Sequence, residues 1–398
     1  MKKILCLLLA CSLFLLCGCN TKNIKDAIAP TTPPTAPQGT TPAGEQTPDG
    51  PITVTDLVGR QVSVIPGSHK RVLCIGAGAL RMYSYVGDVN LLCAVEDIDN
   101  TTLAQRPSMF DAVARPYVLA NSEVFNTLQS CGVGGPQAQS PEIEKIMLCE
   151  PDLIISEYED KAVADDLQSK IGVPVITLEA GPDGVFDQAF ANSMTLLGQV
   201  LGKQDRATEI NTFVSQQKAA IEAAVKDIPE EQKPSVYICG LGNWGTTDHL
   251  MTAENYVSFR VAGVKNVVSG LGITGVGAIE QEKFLELSSQ MDIIIVDAAA
   301  VKNISDPAVF NTCKAWQDGQ VYLEMAYNAY YTNFEIALIN TWFIAKTVYP
   351  ELFADVDITA KTNEVTKVFL GQELAEDIFG CKFSYGGYQQ IDTATFFN

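Results

Sequence analysis

The chain has 398 residues, 47% of them hydrophobic and 19% charged, so it is long enough for two lobes of roughly 150 residues, each with its own core. Its net charge of -20 argues against a general nucleic-acid binder and against a surface that lies on anionic lipid. Two histidines in the whole chain exclude most multi-histidine metal sites.

The first segment reads as an address. Lys2 and Lys3 precede an apolar run from Ile4 to Leu16, which is short of the ~20 residues a spanning helix needs. A basic start followed by a short apolar run is a secretory signal. Leu16-Cys17-Gly18-Cys19 resembles a bacterial lipobox, with Cys19 as the lipidated residue and new N-terminus. The lipid would be the membrane attachment, and residues 1–19 the signal and lipobox. Residues 20–51 read as a tether, since Pro30 to Pro51 holds seven of the 19 prolines and six threonines. Such a segment buries too little apolar surface to order itself and stays extended.

Strands and helices alternate from Ile52 onward. The strands are expected at Arg71–Ile75, Leu91–Val95, Leu153–Ser156 and Val173–Thr177, with helices near Ala79–Val86, Pro141–Cys149 and Lys161–Ile171. This is βαβ grammar, which implies a parallel sheet covered on both faces. Between Asp183 and Lys226 the alternation stops. Apolar residues from Phe186 to Ile221 keep helical spacing, weakened at Gly198 and Gly202, and predict one long or broken helix of ~40 residues. Alternation resumes at Pro234–Cys239, continues through a helix near Glu280–Ser288, and ends with strands at Asp292–Asp297 and Gln320–Leu323. The expected architecture is α/β: two parallel-sheet lobes, residues 52–182 and 231–398, joined by a connecting helix at 183–230 with a ligand cleft between them. Seven cysteines follow Cys19, an odd number without a CxxC, so a disulfide framework is not expected.

A short internal echo relates the lobes. Glu144 in Ile-Glu-Lys-Ile precedes Asp152 by eight residues, and Glu282 in Gln-Glu-Lys-Phe precedes Asp292 by ten.

In open α/β sheets ligands bind beyond the C-terminal ends of strands. That rule nominates Arg81 and Tyr83 after the first strand, and Tyr158 after the third. In the second lobe it nominates Asn243, Trp244 and His249, then Tyr327, Asn328 and Tyr330. The tyrosines and Trp244 offer stacking faces, and Arg81 a guanidinium fork for an anionic ligand. Thr332 and Glu335 read as a helix capping box. With His69 and His249 alone, no bare-metal site is expected. No GxSxG, HExxH or phosphate loop is present, and no enzyme cofactor is called for.

Thr53-Val-Thr-Asp56 with Gly59-Arg60, Lys70-Arg71-Val72, Gly78-Ala-Leu-Arg81 through Val86-Gly87 and Ala94-Val95-Glu96 together resemble one family. So do Cys131-Gly132-Val133-Gly134-Gly135-Pro136, Lys265-Asn266-Val267-Val268 and the helix from Trp342 to Tyr349-Pro350. The chain is similar to the iron-siderophore and cobalamin class of ABC-transporter substrate-binding proteins. The resemblance implies the two-lobe fold, a metal chelate as ligand, and a permease dimer as partner at the extracytoplasmic face of the membrane. A ferric siderophore is the first expectation, haem or a corrinoid the next. It also implies an exposed glutamate on each lobe that meets permease arginines, at Glu144 and Glu282. A surface adhesin or signalling lipoprotein, and less so an anchored hydrolase, are the alternatives.

Overall fold

The computed structural model describes residues 50–136, 138–242 and 247–397. The signal, Cys19 and nearly all of the tether lie outside the described residues, as do Asn243 and Trp244.

The folded body opens with an antiparallel hairpin, β1 (Ile52–Thr55) and β2 (Gln61–Val64). Gly59, at φ 78°, makes its turn. Buried Arg60 then fixes the hairpin to the first lobe by bonding Asp56, Asp165, Gln168 and the Val175 carbonyl.

The first sheet comprises β3 (Val72–Ile75), β4 (Leu92–Val95), β5 (Gln129–Ser130), β6 (Leu153–Ser156) and β7 (Val175–Thr177). Its order is β5-β4-β3-β6-β7 and every pairing is parallel. All residues of β3 and β6 are buried, as strands covered on both faces must be. The first-lobe helices are α1 (Ala79–Val86), α2 (Pro116–Phe125), α3 (Ile143–Leu148) and α4 (Lys161–Ile171). Asp160 caps α4 by accepting from Ala162 and Val163, and Gly172 ends it at φ 81°.

The predicted helix across the connection is two helices. α5 (Gln188–Leu201) and α6 (Gln204–Val225) meet at Gly202, a left-handed cap at φ 65°. They fold back on each other as a hairpin: Asn211 donates to the Ala191 carbonyl, and a Cβ on Gly198 would lie 2.7 Å from that of Ala207. Gly198 is therefore a close-approach residue, and α6 alone carries the chain to the second lobe.

The second sheet comprises β8 (Ser235–Cys239), β10 (Lys265–Asn266), β12 (Ile293–Asp297), β13 (Val321–Glu324) and β14 (Gln389–Gln390), in the order β10-β8-β12-β13-β14. Only β14 runs antiparallel to its neighbour. β9 (Met251–Ala253) and β11 (Val276–Ala278) pair beside it. The second-lobe helices are α7 (Val257–Val261), α8 (Gln281–Leu287), α9 (Ala298–Val301), α10 (Lys314–Gln317) and α11 (Phe334–Val348).

The C-terminal boundary also differs from the expected one. After α11 the chain returns to the first lobe, where α12 (Ile358–Leu370) and α13 (Ala375–Gly380) pack on α1 and α2. Gln372 donates to the Ala120 carbonyl and the Phe383 amide to that of Ala112. The chain then recrosses to set β14 on the edge of the second sheet. Residues 231–398 are thus not one lobe. The seven cysteines after Cys19 are free thiols.

Candidate functional site

The strand ends of both sheets present carboxyl groups. Glu96 and Glu157 directly follow β4 and β6, while Asp297 and Glu324 are the last residues of β12 and β13. All four are buried. Burial pushes the Glu96 and Asp297 carboxyls up to about 7, against the relief their hydrogen bonds give. Glu157 and Glu324 are raised well above the usual range, first by burial and then by a neighbouring acid, Glu159 and Asp297 respectively. The aromatic and arginine side chains drew attention in the sequence. These acids stand at the same strand ends, and the sequence reading nominates none of them for the ligand.

A strap from the second lobe, Tyr327–Asn333, lies over the first lobe. Tyr330 and Tyr331 take left-handed φ angles of 49° and 84°, uncommon for aromatic residues. The Tyr330 hydroxyl donates to Glu96 Oε2 (2.7 Å), whose Oε1 accepts from the Gly76 amide (3.1 Å). The Tyr331 hydroxyl donates to Glu159 (3.4 Å). Tyr327 and Asn328 face their own lobe. The Tyr327 amide donates to Asp297 Oδ2 (2.8 Å), its ring packs edge-on to Tyr256, and Asn328 donates to the Gly242 carbonyl (2.7 Å).

Arg81 is not a free fork for an anion. Its side chain is fully buried. It donates to Asn333, to Glu335 (3.3 Å) and to the Ala329 carbonyl (3.0 Å), with its guanidinium 4.5 Å from the Tyr117 ring centre. Its partners lie on the strap and on α11, so it ties lobe to lobe. Glu335 is consequently not half of a capping box. The residue at the N-cap of α11 is Asn333, and Glu335 answers Arg81 and Tyr85 (2.6 Å). Tyr83 lies away from the strand ends, buried against Gly87 with its hydroxyl on the Asp88 carbonyl (2.8 Å). His249 pairs with Gln281 (3.0 Å) and packs edge-on to Phe284 and Phe310, a structural setting beneath α8.

Tyr158 does line an opening. A narrow crevice at the ends of β3 to β6 is bounded by Ile75, Glu96, Cys131, Gly134, Glu142 and Tyr158. Tyr158 is half-buried, its hydroxyl on the Ala138 carbonyl (3.2 Å). The structure therefore brings Tyr158, Tyr330, Tyr331, Glu96 and Glu157 to the lobe junction. It sends Arg81, Tyr83 and His249 to packing roles. Among the described residues no three His, Cys, Asp or Glu side chains are grouped to hold a metal ion.

Solved structures share this fold. The molybdate-binding MolA of Haemophilus influenzae matches with a TM-score of 0.62 at 18% identity, over 81% of this chain and 98% of that one. The TroA-like FepB of Veillonella parvula gives 0.60 at 20%, over 81% and 97%. CeuE of Helicobacter pylori, solved as a Ni-His complex, gives 0.57 at 15%, over 83% and 99%. No curated protein sequence matches the chain. The periplasmic binding protein family model matches residues 110–324, from ahead of α2 to the end of β13. That span takes in β5 to β7 of the first sheet, the helical hairpin and the strands that end in Asp297 and Glu324 but no catalytic motif, and the chain belongs to the periplasmic binding protein family, whose members bind solutes rather than transform them.

Proposed function

We propose that the chain is a lipid-anchored receptor that captures a metal chelate at the lobe junction and delivers it to an ABC importer at the extracytoplasmic face of the membrane. The carrying observation is the lack of a metal-holding side-chain group among the described residues, within a fold whose solved relatives include a molybdate-bound protein and a Ni-His complex. A metal reaching this junction has to arrive with its own ligand shell. A ferric siderophore comes first among the candidates, with haem or a corrinoid next. Tyr158 and Tyr330 supply stacking faces at the junction, and Asn243 and Trp244 are assigned to the ligand from their place after β8. Native mass spectrometry of the chain with a panel of chelates and free metal salts tests this. Retention of an intact chelate is expected, and tight retention of a bare ion with no chelate bound overturns it.

Glu144 and Glu282 are assigned to permease docking. Both are exposed, on α3 and α8, the helices that lead into β6 and β12. Those strands hold matching places, since β6 lies beside β3 as β12 lies beside β8. The adjacent lysines bond elsewhere, Lys145 to Glu142 (2.9 Å) and Lys283 to Glu286 (2.5 Å), and leave Glu144 and Glu282 available to a partner. Exposed charge of this kind steers encounter and fixes orientation.

A further inference from the structure

One carboxyl at the lobe junction is left without a well-formed hydrogen bond. Glu157 is 8% exposed and follows β6 directly. Neither of its oxygens reaches solvent or has a hydrogen-bond partner. Buried polar groups in native folds are almost always paired, so an exception needs a reason. The carboxyl lies against the backbone of Gly78: a Cβ there would sit 2.2 Å from Glu157 Oε2 and 2.9 Å from the Tyr331 ring. Glycine at φ 100° is what lets the acid and the strap meet.

The groups around Glu157 leave it unanswered. Glu159 and Glu179 stand on its own lobe and add negative charge. Arg81, from α1, eases ionisation of Glu157 through its charge but directs both terminal nitrogens to Asn333, Glu335 and the Ala329 carbonyl, and its Nε is unpaired. Tyr331, from the strap, stands close enough to ease ionisation but directs its hydroxyl to Glu159. The chain's seven arginines are all engaged, five of them besides Arg60 and Arg81: Arg71 with backbone carbonyls, and Arg106, Arg115, Arg206 and Arg260 with Asp111, Asp99, Glu209 and Asp183. An anionic ligand shell therefore meets an unpaired acid, while each guanidinium already bonds a carboxylate or a carbonyl.

Resting on the reading of this junction as the ligand site, we propose that Glu157 is the specificity-determining carboxyl of the protein, and that it selects a solute presenting a cationic ammonium or N–H donor group once the Tyr330–Tyr331 strap lifts. The ligand supplies the donor that the fold withholds, and the charged carboxylate forms on binding, with release of its proton.

Calorimetry of the full chain, in two buffers of different ionisation heat, tests this with three probes. They are a ferric trihydroxamate bearing a free ammonium, an anionic ferric tris-catecholate, and a metal-free polyamine. The cationic chelate is expected to bind at least tenfold more tightly than the anionic one, with net release of protons. Glu157→Gln is expected to weaken that binding at least tenfold and remove the proton release. Glu157→Asp, which keeps the charge one methylene back, gives a smaller loss and serves if the Gln variant misfolds. Polyamine binding that depends on Glu157, with neither chelate bound, supports the inference while refuting the chelate reading. Preferred binding of the catecholate, indifferent to Glu157, overturns the inference while supporting the chelate reading. Absence of binding by both cationic probes also overturns the inference.

Discussion

Tyr330 and Glu96 belong to different lobes, 234 residues apart in the chain, and are joined by a 2.7 Å hydrogen bond. The donor sits on a left-handed backbone. The acceptor is a buried acid that also holds the Gly76 amide. Tyr330→Phe removes the donor and leaves Glu96 half-answered. A loss of ~1–2 kcal/mol is expected, seen as a lower denaturant midpoint at unchanged slope. An unchanged midpoint means that the bond is replaced by water at no cost.

The two acids held near 7 give stability a definite pH dependence. Glu96 and Asp297 ordinarily ionise near 4.5 and 3.8, and in the fold at about 7. Between those values the folded chain holds more protons than the unfolded one, so stability falls as pH rises through this window and levels above it. The melting temperature is expected to be higher at pH 5 than at pH 8. Glu96→Gln should flatten the slope. A melting temperature that climbs from pH 5 to pH 8 contradicts the assignment.

Arg81 and Glu335 are both fully buried, and truncating one strands the other. Arg81→Met is expected to cost ~3–5 kcal/mol, although Tyr85 still donates to Glu335. Arg81→Met with Glu335→Leu should recover most of that loss. A double variant no better than the single would show that the Asn333 and Ala329 bonds matter more than the charge pair.

Reversing Glu144 and Glu282 to lysine addresses docking. The exposed positions predict a stability change within ~0.5 kcal/mol and unaltered chelate affinity, with uptake abolished. Uptake at wild-type rate, at equal surface abundance, rules these residues out.

Cys19→Ala tests the anchor. The variant should move from the membrane fraction to the soluble extracytoplasmic fraction, while its binding of chelate in solution is unchanged. Continued membrane association would place the attachment elsewhere.

The sheets were legible because β3, β6 and β12 are apolar runs, broken only at the last residue of β6 and β12, as a doubly covered strand requires. The hairpin of α5 and α6 was half-legible. Gly198 and Gly202 were visible as weak points, but only packing shows that one admits Ala207 and the other reverses the chain. β14 carried no signal, since two glutamines at a sheet edge have no pattern. At the junction, counting residues past a strand end found Tyr158 and Tyr330. The same count misdirected Arg81 and Tyr83, which lie within the turns of α1 and face partners set by helical rotation. Asn333 and Glu335, about 250 residues on, decide the fate of Arg81. Glu157 was passed over because an acid after a strand looks ordinary until its missing partner is seen.

The return of the C-terminus has a consequence for how the protein is made. The helices that cover α1 and α2 of the first lobe are α12 and α13, and the last strand of the second sheet is β14. All three are translated after the other elements of both lobes. A nascent chain that has already delivered Val72–Thr177 still lacks the cover of its first lobe, and one stopped before Gln389 leaves the β13 edge open. Neither lobe can be finished ahead of the other on the ribosome, so synthesis has to pass Gln390 before both halves are native.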